Sequence, residues 1–430
     1  MVMACSGSDS DVKTSDEVKP VAVTFDTYLQ QSQTMRTIFP SGYKTQMTLA
    51  DLQASGFGVF AHHSGATTFD RTSTVPYNFM FNQLVEWDSG NSRWTYSPVK
   101  YWPNDNNPAD NNGATGSQTH SYLSFFAYAP YITYQAIGVA ADEGITGMTT
   151  DNTTKVGETY ITYRTSKILG GGADLLWAGH SNLYKTEESG EGTTEGHVRF
   201  LFKHALSRLN ITVQGVFDEM APSGGTYDGY SDDVDANTRI LIESVEIEQP
   251  VLAKESRLYL APNPNGADVP YWVKQSNLDG SFTNTLLDSR FLYTALTDHA
   301  DAESALADFE ALPAGVDKQE RFLFAGGGAG RFYMFPPTSE AGSLKVKIVY
   351  YTITYDPRLT LNNPKYFSIV RNEIEATSTA NFDFEANKQY NFRLLLGMTT
   401  AKFKVDAVDE WGTGNTQTID LPLNVKVSTP

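Results

Sequence analysis

The sequence contains a single cysteine among 430 residues. That excludes internal disulfides and any zinc site built on several thiolates. Cations are also in short supply, with 32 Lys and Arg against 50 Asp and Glu and a formal charge of −18. No cluster of basic residues offsets that sign, so nucleic acid is not an expected partner. A basic patch that holds an anionic membrane is excluded in the same way. No apolar run reaches the length of about 18 residues that a spanning helix needs. The seven histidines show no HExxH or comparable ligand spacing. His62 and His63 are adjacent, and on a strand their rings face opposite sides, so they are not expected to share a metal. No metal or cofactor is predicted.

What the sequence does have is aromatic residues and turns. It carries 23 Tyr and 24 Phe, a composition that leans toward β structure. Short apolar or alternating runs bounded by Gly, Asn, Asp and Ser predict strands at 21–25, 57–61, 78–85, 121–128, 158–164 and 174–178. A polar stretch follows at 187–192, and strand patterns resume at 197–202, 209–213, 240–247, 256–260, 332–335, 344–355 and 390–396. Thr48 with Asp51 three residues on, and Gly56 beyond, frame a short helix. Ala302, Ala305, Leu306, Phe309 and Leu312 stand at helical spacing and predict a second helix within 298–312. The expected fold class is all-β, of the sandwich type, with a few short helices. The length suits two domains, with the boundary placed between 195 and 196, giving 20–195 and 196–430.

Cys5 stands in Val2-Met3-Ala4-Cys5-Ser6-Gly7 and is followed by an acidic, polar stretch to Glu17. Such a stretch cannot bury itself and reads as a flexible tether, so residues 1–19 are expected to be anchor and linker. The order of apolar residues, small residue, cysteine and polar linker resembles the end of a bacterial lipoprotein signal peptide. Little of the apolar region that precedes such a cysteine is present, as expected of a shortened leader. The resemblance implies acylation of Cys5; the alternative is an incidental cysteine in a tail.

Motifs for chemistry are weak. Residues 104–113 are rich in Asn and Asp, the hard oxygen ligands that calcium prefers, yet lack the EF-hand order and read as a surface loop. Residues 326–331 are glycine-rich but lack the GxxxxGK[ST] pattern of a phosphate loop. No GxSxG elbow frames a serine. No enzymatic activity is expected.

Several stretches in order resemble one family. They are Phe57-Gly58-Val59-Phe60-Ala61, Tyr101-Trp102-Pro103, 123–130, Asp174-Leu175-Leu176-Trp177-Ala178, 198–209, 387–398 and Asp409-Glu410-Trp411. Together they are similar to the Mfa-like branch of the fimbrillins, lipoprotein subunits of type V pili in Gram-negative anaerobes. The resemblance covers about 20–411. It implies two transthyretin-like β-sandwiches, export to the outer membrane and cell surface as a lipoprotein, other pilin subunits as partners in a fimbria, and a processing protease.

The resemblance further implies that a trypsin-like protease cuts after an arginine near Arg36, which lies in the polar segment Thr34-Met35-Arg36-Thr37. Cutting there frees a first strand whose apolar face is Val21, Val23 and Phe25, and leaves an unpaired edge. The tail offers a donor strand at 421–428, where Leu421, Leu423, Val425 and Val427 alternate with polar residues and proline. Its alternative role is to complete the chain's own second sandwich. A second functional reading is a surface glycan-binding lipoprotein, with Trp87, Trp94, Tyr101 and Trp102 stacking on sugar rings.

Overall fold

The computed structural model describes residues 20–29, 47–103, 121–133, 144–149, 155–165, 174–185, 196–215, 236–248, 253–266, 269–277, 282–285, 293, 295–317, 319–322, 333–337, 342–396, 401–410, 418–419 and 423–428. These residues form an all-β protein with two short α-helices, the fold class expected from the sequence. None of the described helices is long and apolar enough to cross a membrane.

The first part of the chain runs through β1 (Thr24–Leu29), α1 (Leu49–Ser55), β2 (Phe57–Gly65), β3 (Met80–Asp88), β4 (Arg93–Thr95), β5 (Tyr122–Ala129), β6 (Gly144–Met148), β7 (Tyr160–Arg164), β8 (Leu176–Leu183) and β9 (His197–His204). Further on come β10 (Ser207–Gly215), β11 (Thr238–Glu248), β12 (Ala253–Tyr259), β13 (Tyr271–Asn277) and β14 (Phe282–Thr285). The last part holds α2 (Ala302–Ala311), β15 (Arg321–Phe322), β16 (Tyr333–Phe335), β17 (Gly342–Tyr355), β18 (Phe367–Phe382), β19 (Lys388–Leu396), β20 (Ala401–Glu410), β21 (Thr418–Ile419) and β22 (Leu423–Ser428).

A seven-stranded sheet runs in the order β1-β9-β8-β5-β2-β3-β4, and its central strands β2 and β5 are buried on both faces. Phe57, Val59, Phe125, Ala127 and Phe200 face one core, which α1 covers through Leu52. Phe60, Phe126, Tyr128 and Trp177 face a second core shared with the four-stranded sheet β13-β12-β7-β6. Because both faces are covered, β2 and β5 read as continuous apolar runs instead of alternating ones. Gly58 lets the strands close up, since a Cβ there would lie 2.3 Å from the Tyr128 ring. The sheet curls until its ends meet, and Trp94 Nε1 on β4 donates to Thr27 Oγ1 on β1 at 3.0 Å.

The second part holds a sheet β15-β10-β19-β20-β21 and a sheet β14-β11-β17-β18-β22. Side chains alternate over 345–348: Val346 and Ile348 are buried, while Lys345 and Lys347 pair with Glu375 and Glu373 at 3.1 and 2.8 Å. The alternation ends at Val349 and Tyr350, which are both buried. Both helices form where expected. Thr48 and Asp51 make a reciprocal capping box on α1. Asp301 caps α2, which is shorter than 298–312 because that cap starts it at Ala302.

The expected boundary between 195 and 196 does not follow the sheets. β9 lies between β1 and β8 in the first sheet, and β12 pairs antiparallel with β7. The strands of residues 197–204 and 253–277 thus belong with the first part of the chain. A polar spacer in the sequence carries no information on which earlier strand the next one will pair with.

Candidate functional site

The sequence singles out a strand at 21–25; the strand that forms, β1, begins at Thr24 and stands at the end of the seven-stranded sheet. Thr24 to Leu29 pair parallel with His197 to Phe202. Val23 and Phe25 are buried, and Val21 and Leu29 pack against the same core. The expected apolar face of Val21, Val23 and Phe25 is therefore a real face. Tyr28 points the other way and is exposed. Asp26 and His197 approach at 3.4 Å on that outer side.

A second set of contacts, not legible in the sequence, fixes the start of the segment. Val23 N donates to Lys100 O and Trp102 N donates to Val21 O, both at 2.9 Å. The Tyr96 hydroxyl donates to Val23 O at 2.8 Å, and burial raises its pKa, which keeps it a donor. Gly196 O receives both Thr24 N and Trp102 Nε1 at 2.9 Å. Residues 21–23 are thus clasped by the 96–102 segment, while among the described residues the strand 24–29 pairs with β9. Burial of Val23 and Phe25 contributes about 3–6 kcal/mol to holding the strand.

Phe25 sits in an aromatic cage. Its ring stacks on Phe200 at 5.7 Å and meets Phe57, Tyr96 and Phe125 edge-on at 6.1, 5.4 and 6.1 Å. Such ring pairs each add about 0.5–1.5 kcal/mol beyond the area they bury.

Where the chain re-enters the described structure at Met47, it is pinned by a buried carboxylate. Asp174 accepts from Met47 N and Leu175 N at 2.8 Å and contacts His204 Nδ1 at 2.7 Å. Close by in sequence, Arg208 is buried, and its guanidinium donates to Gln389 Oε1. Burial brings the Arg208 pKa down to about 10.

β22 lies at the edge of its own sheet, antiparallel to β18. Leu423, Val425 and Val427 stand opposite Ser378, Ala376 and Ile374. Val427 therefore continues the row Val245, Ile348 and Ile374. Cys5, Arg36, Leu421 and residues 104–113 and 326–331 lie outside the described residues.

The tryptophans suggested for sugar stacking do not form a platform. Trp94 and Trp102 are core residues at 8% and 7% exposure, and Trp87 packs edge-on against Trp94. Only Tyr101 of the four is exposed. The N–H groups of Trp94 and Trp102 are used internally, on Thr27 Oγ1 and Gly196 O.

The two adjacent histidines differ in their surroundings. His62 is buried beside Phe69 and Tyr77, and burial lowers its pKa. His63 Nε2 lies 2.7 Å from Ser121 Oγ. Both residues line one open cleft of about 440 Å³ together with residues of the 64–78 segment. That cleft holds one carboxylate, Asp70, which is engaged by Thr72. Among the described residues no group of three His, Cys, Asp or Glu could hold a metal.

Comparison with known proteins places these features in a family. The family model described as Fimbrillin-like matches residues 45–288, more than half of the chain. No curated protein matches. Among solved structures, a putative cell adhesion protein from Bacteroides uniformis is 12% identical, with 91% of this chain and 98% of that one covered and a TM-score of 0.36. The fimbrial anchor protein Mfa2 from Porphyromonas gingivalis is 10% identical, covers 91% and 98% and has a TM-score of 0.32. A fimbrial assembly protein from Parabacteroides distasonis is 9% identical, covers 91% and 100% and has a TM-score of 0.35. On the extent of the family match, this chain belongs to the fimbrillin-like family.

Proposed function

We propose that the chain is a structural, adhesive subunit of a surface fimbria, held at the outer membrane by a lipid on Cys5 and assembled by strand exchange. A protease cuts at Arg36, β1 leaves, and a strand from a neighbouring subunit takes its place beside β9. In turn the 421–428 strand, with Leu421, Leu423, Val425 and Val427 as its apolar side, is given to another subunit. The work done is backbone pairing and burial, with no catalysis. The observation that carries this reading is the position of β1: an end strand whose apolar face fills a core built by other strands. Its removal leaves a groove and an unpaired β9 edge that demand a partner.

Three measurements on the full chain test it. Native trypsin is expected to nick first at Arg36; first cuts elsewhere remove the processing site. Deletion of 421–430 is expected to leave a folded monomer that does not polymerise; normal fibres from it remove the donor. Cys5→Ser, expressed with an intact leader, is expected to abolish membrane fractionation; an unchanged membrane fraction removes the anchor.

A further inference from the structure

The groove under β1 has a side-chain code. Along the segment the inward positions are Val21, Val23, Phe25, Thr27 and Leu29. Two aliphatic residues are followed by an aromatic one, then by an oxygen that accepts the Trp94 indole N–H, then by an aliphatic one. The third position is the selective one. Four rings surround Phe25, and none of them belongs to β1. The cage is therefore a property of the groove and persists as a socket when the strand is gone. A side chain smaller than an aromatic ring leaves part of it empty, and an unfilled core site costs both transfer energy and packing.

The strand proposed as this chain's donor does not match, since residues 421–428 contain no Phe, Tyr or Trp. In the register that places Leu423 and Val425 at the positions of Val21 and Val23, Val427 falls on the socket. No other register puts an aromatic there, because none is present. Direction is fixed as well, since β1 runs parallel to β9 and antiparallel to the bridge at Tyr101.

Resting on the reading that β1 is replaced, we infer that its replacement comes from a different subunit and not from a second copy of this chain. The incoming strand runs parallel to β9 and carries an aromatic residue at its third inward position, preceded by two aliphatic ones. Phe25 and its cage are thus the partner-selecting feature of the assembly edge. A homopolymer is disfavoured at this groove, and the tail of this chain is directed to a subunit whose socket is smaller.

The test uses the full chain after trypsin cleavage, with fluorescein-labelled peptides of residues 20–30 and 419–430 read by anisotropy. The 20–30 peptide is expected to bind, and its Phe25→Val form to bind at least tenfold more weakly. The 419–430 peptide is expected to be equally weak, and Val427→Phe to strengthen it at least tenfold. Binding of the natural tail within a factor of two of its Val427→Phe form overturns the socket while leaving strand exchange standing. If even the 20–30 peptide does not bind to the cut protein, the groove does not open. Strand exchange then falls, and the inference falls with it.

Discussion

The Tyr96 hydroxyl donates to the carbonyl of Val23 across 2.8 Å, joining the chain just after β4 to the start of β1. The Tyr96 hydroxyl oxygen also accepts from Lys100 N at 3.1 Å. One phenol thus closes the curled sheet where the sequence predicts a removable strand. Tyr96→Phe keeps the ring contact with Phe25 and deletes only these bonds. It is expected to cost about 1 kcal/mol. Hydrogen exchange at the β1 amides should rise several-fold, with the β5 amides unchanged.

Gly196 has φ +94°, and a Cβ there would stand 2.7 Å from Val21 Cγ1 and 2.9 Å from Ala22 O. Gly196→Ala is therefore expected to push residues 21–22 off the sheet. Both the clash and the left-handed backbone oppose a side chain. The expected loss is about 1–3 kcal/mol, seen as a lower urea midpoint and faster proteolysis between residues 20 and 46.

Asp174 holds two backbone amides and the His204 ring in a buried site. Asp174→Ala removes an acceptor from all three. Breaking one partner of a buried polar set costs about 3–5 kcal/mol. Equilibrium unfolding in urea should show a loss of that size, well above the cost of an exposed Asp→Ala change.

His62 gives a pH dependence whose sign is fixed by burial. Its folded pKa lies below the ordinary value, so between its folded and unfolded pKa the unfolded chain binds the extra proton. Its contribution to stability is present above the unfolded pKa and is lost as pH falls through this window. The slope from one such group is at most about 1.4 kcal/mol per pH unit. His62→Gln should flatten the fall in melting temperature from pH 7 to pH 5.

Trp102 separates a core role from a sugar-stacking role. It is buried and donates to Gly196 O. Trp102→Ala is expected to lower stability by about 3–5 kcal/mol. Full stability in that variant, with loss of glycan retention alone, would instead favour the stacking role.

Much of this molecule was legible in one dimension. The capping box of α1 is local chemistry among four residues, and the inward face of Val21, Val23 and Phe25 follows from the two-residue period of a strand. The sandwich-type fold class follows from many short runs between turn residues. The glycan reading failed at Trp94 and Trp102 because an indole looks the same in a sequence whether a sheet curls over it or leaves it open. Strand pairing crosses residues 195/196, and a polar spacer is silent about such pairing.

By itself the sequence determined many of the strand segments, though not β6, β13, β18 or β20, and the apolar side of those it showed. Only the tertiary structure decided that β1 lies parallel to β9, that Lys100 and Trp102 clasp its start, and that four rings from four distant segments close around Phe25. The reason is physical. Side-chain alternation is set by the backbone of each residue. Partner choice is set by hydrogen bonds and packing between groups far apart along the chain, as with Thr24 and Gly196, which lie 172 positions apart.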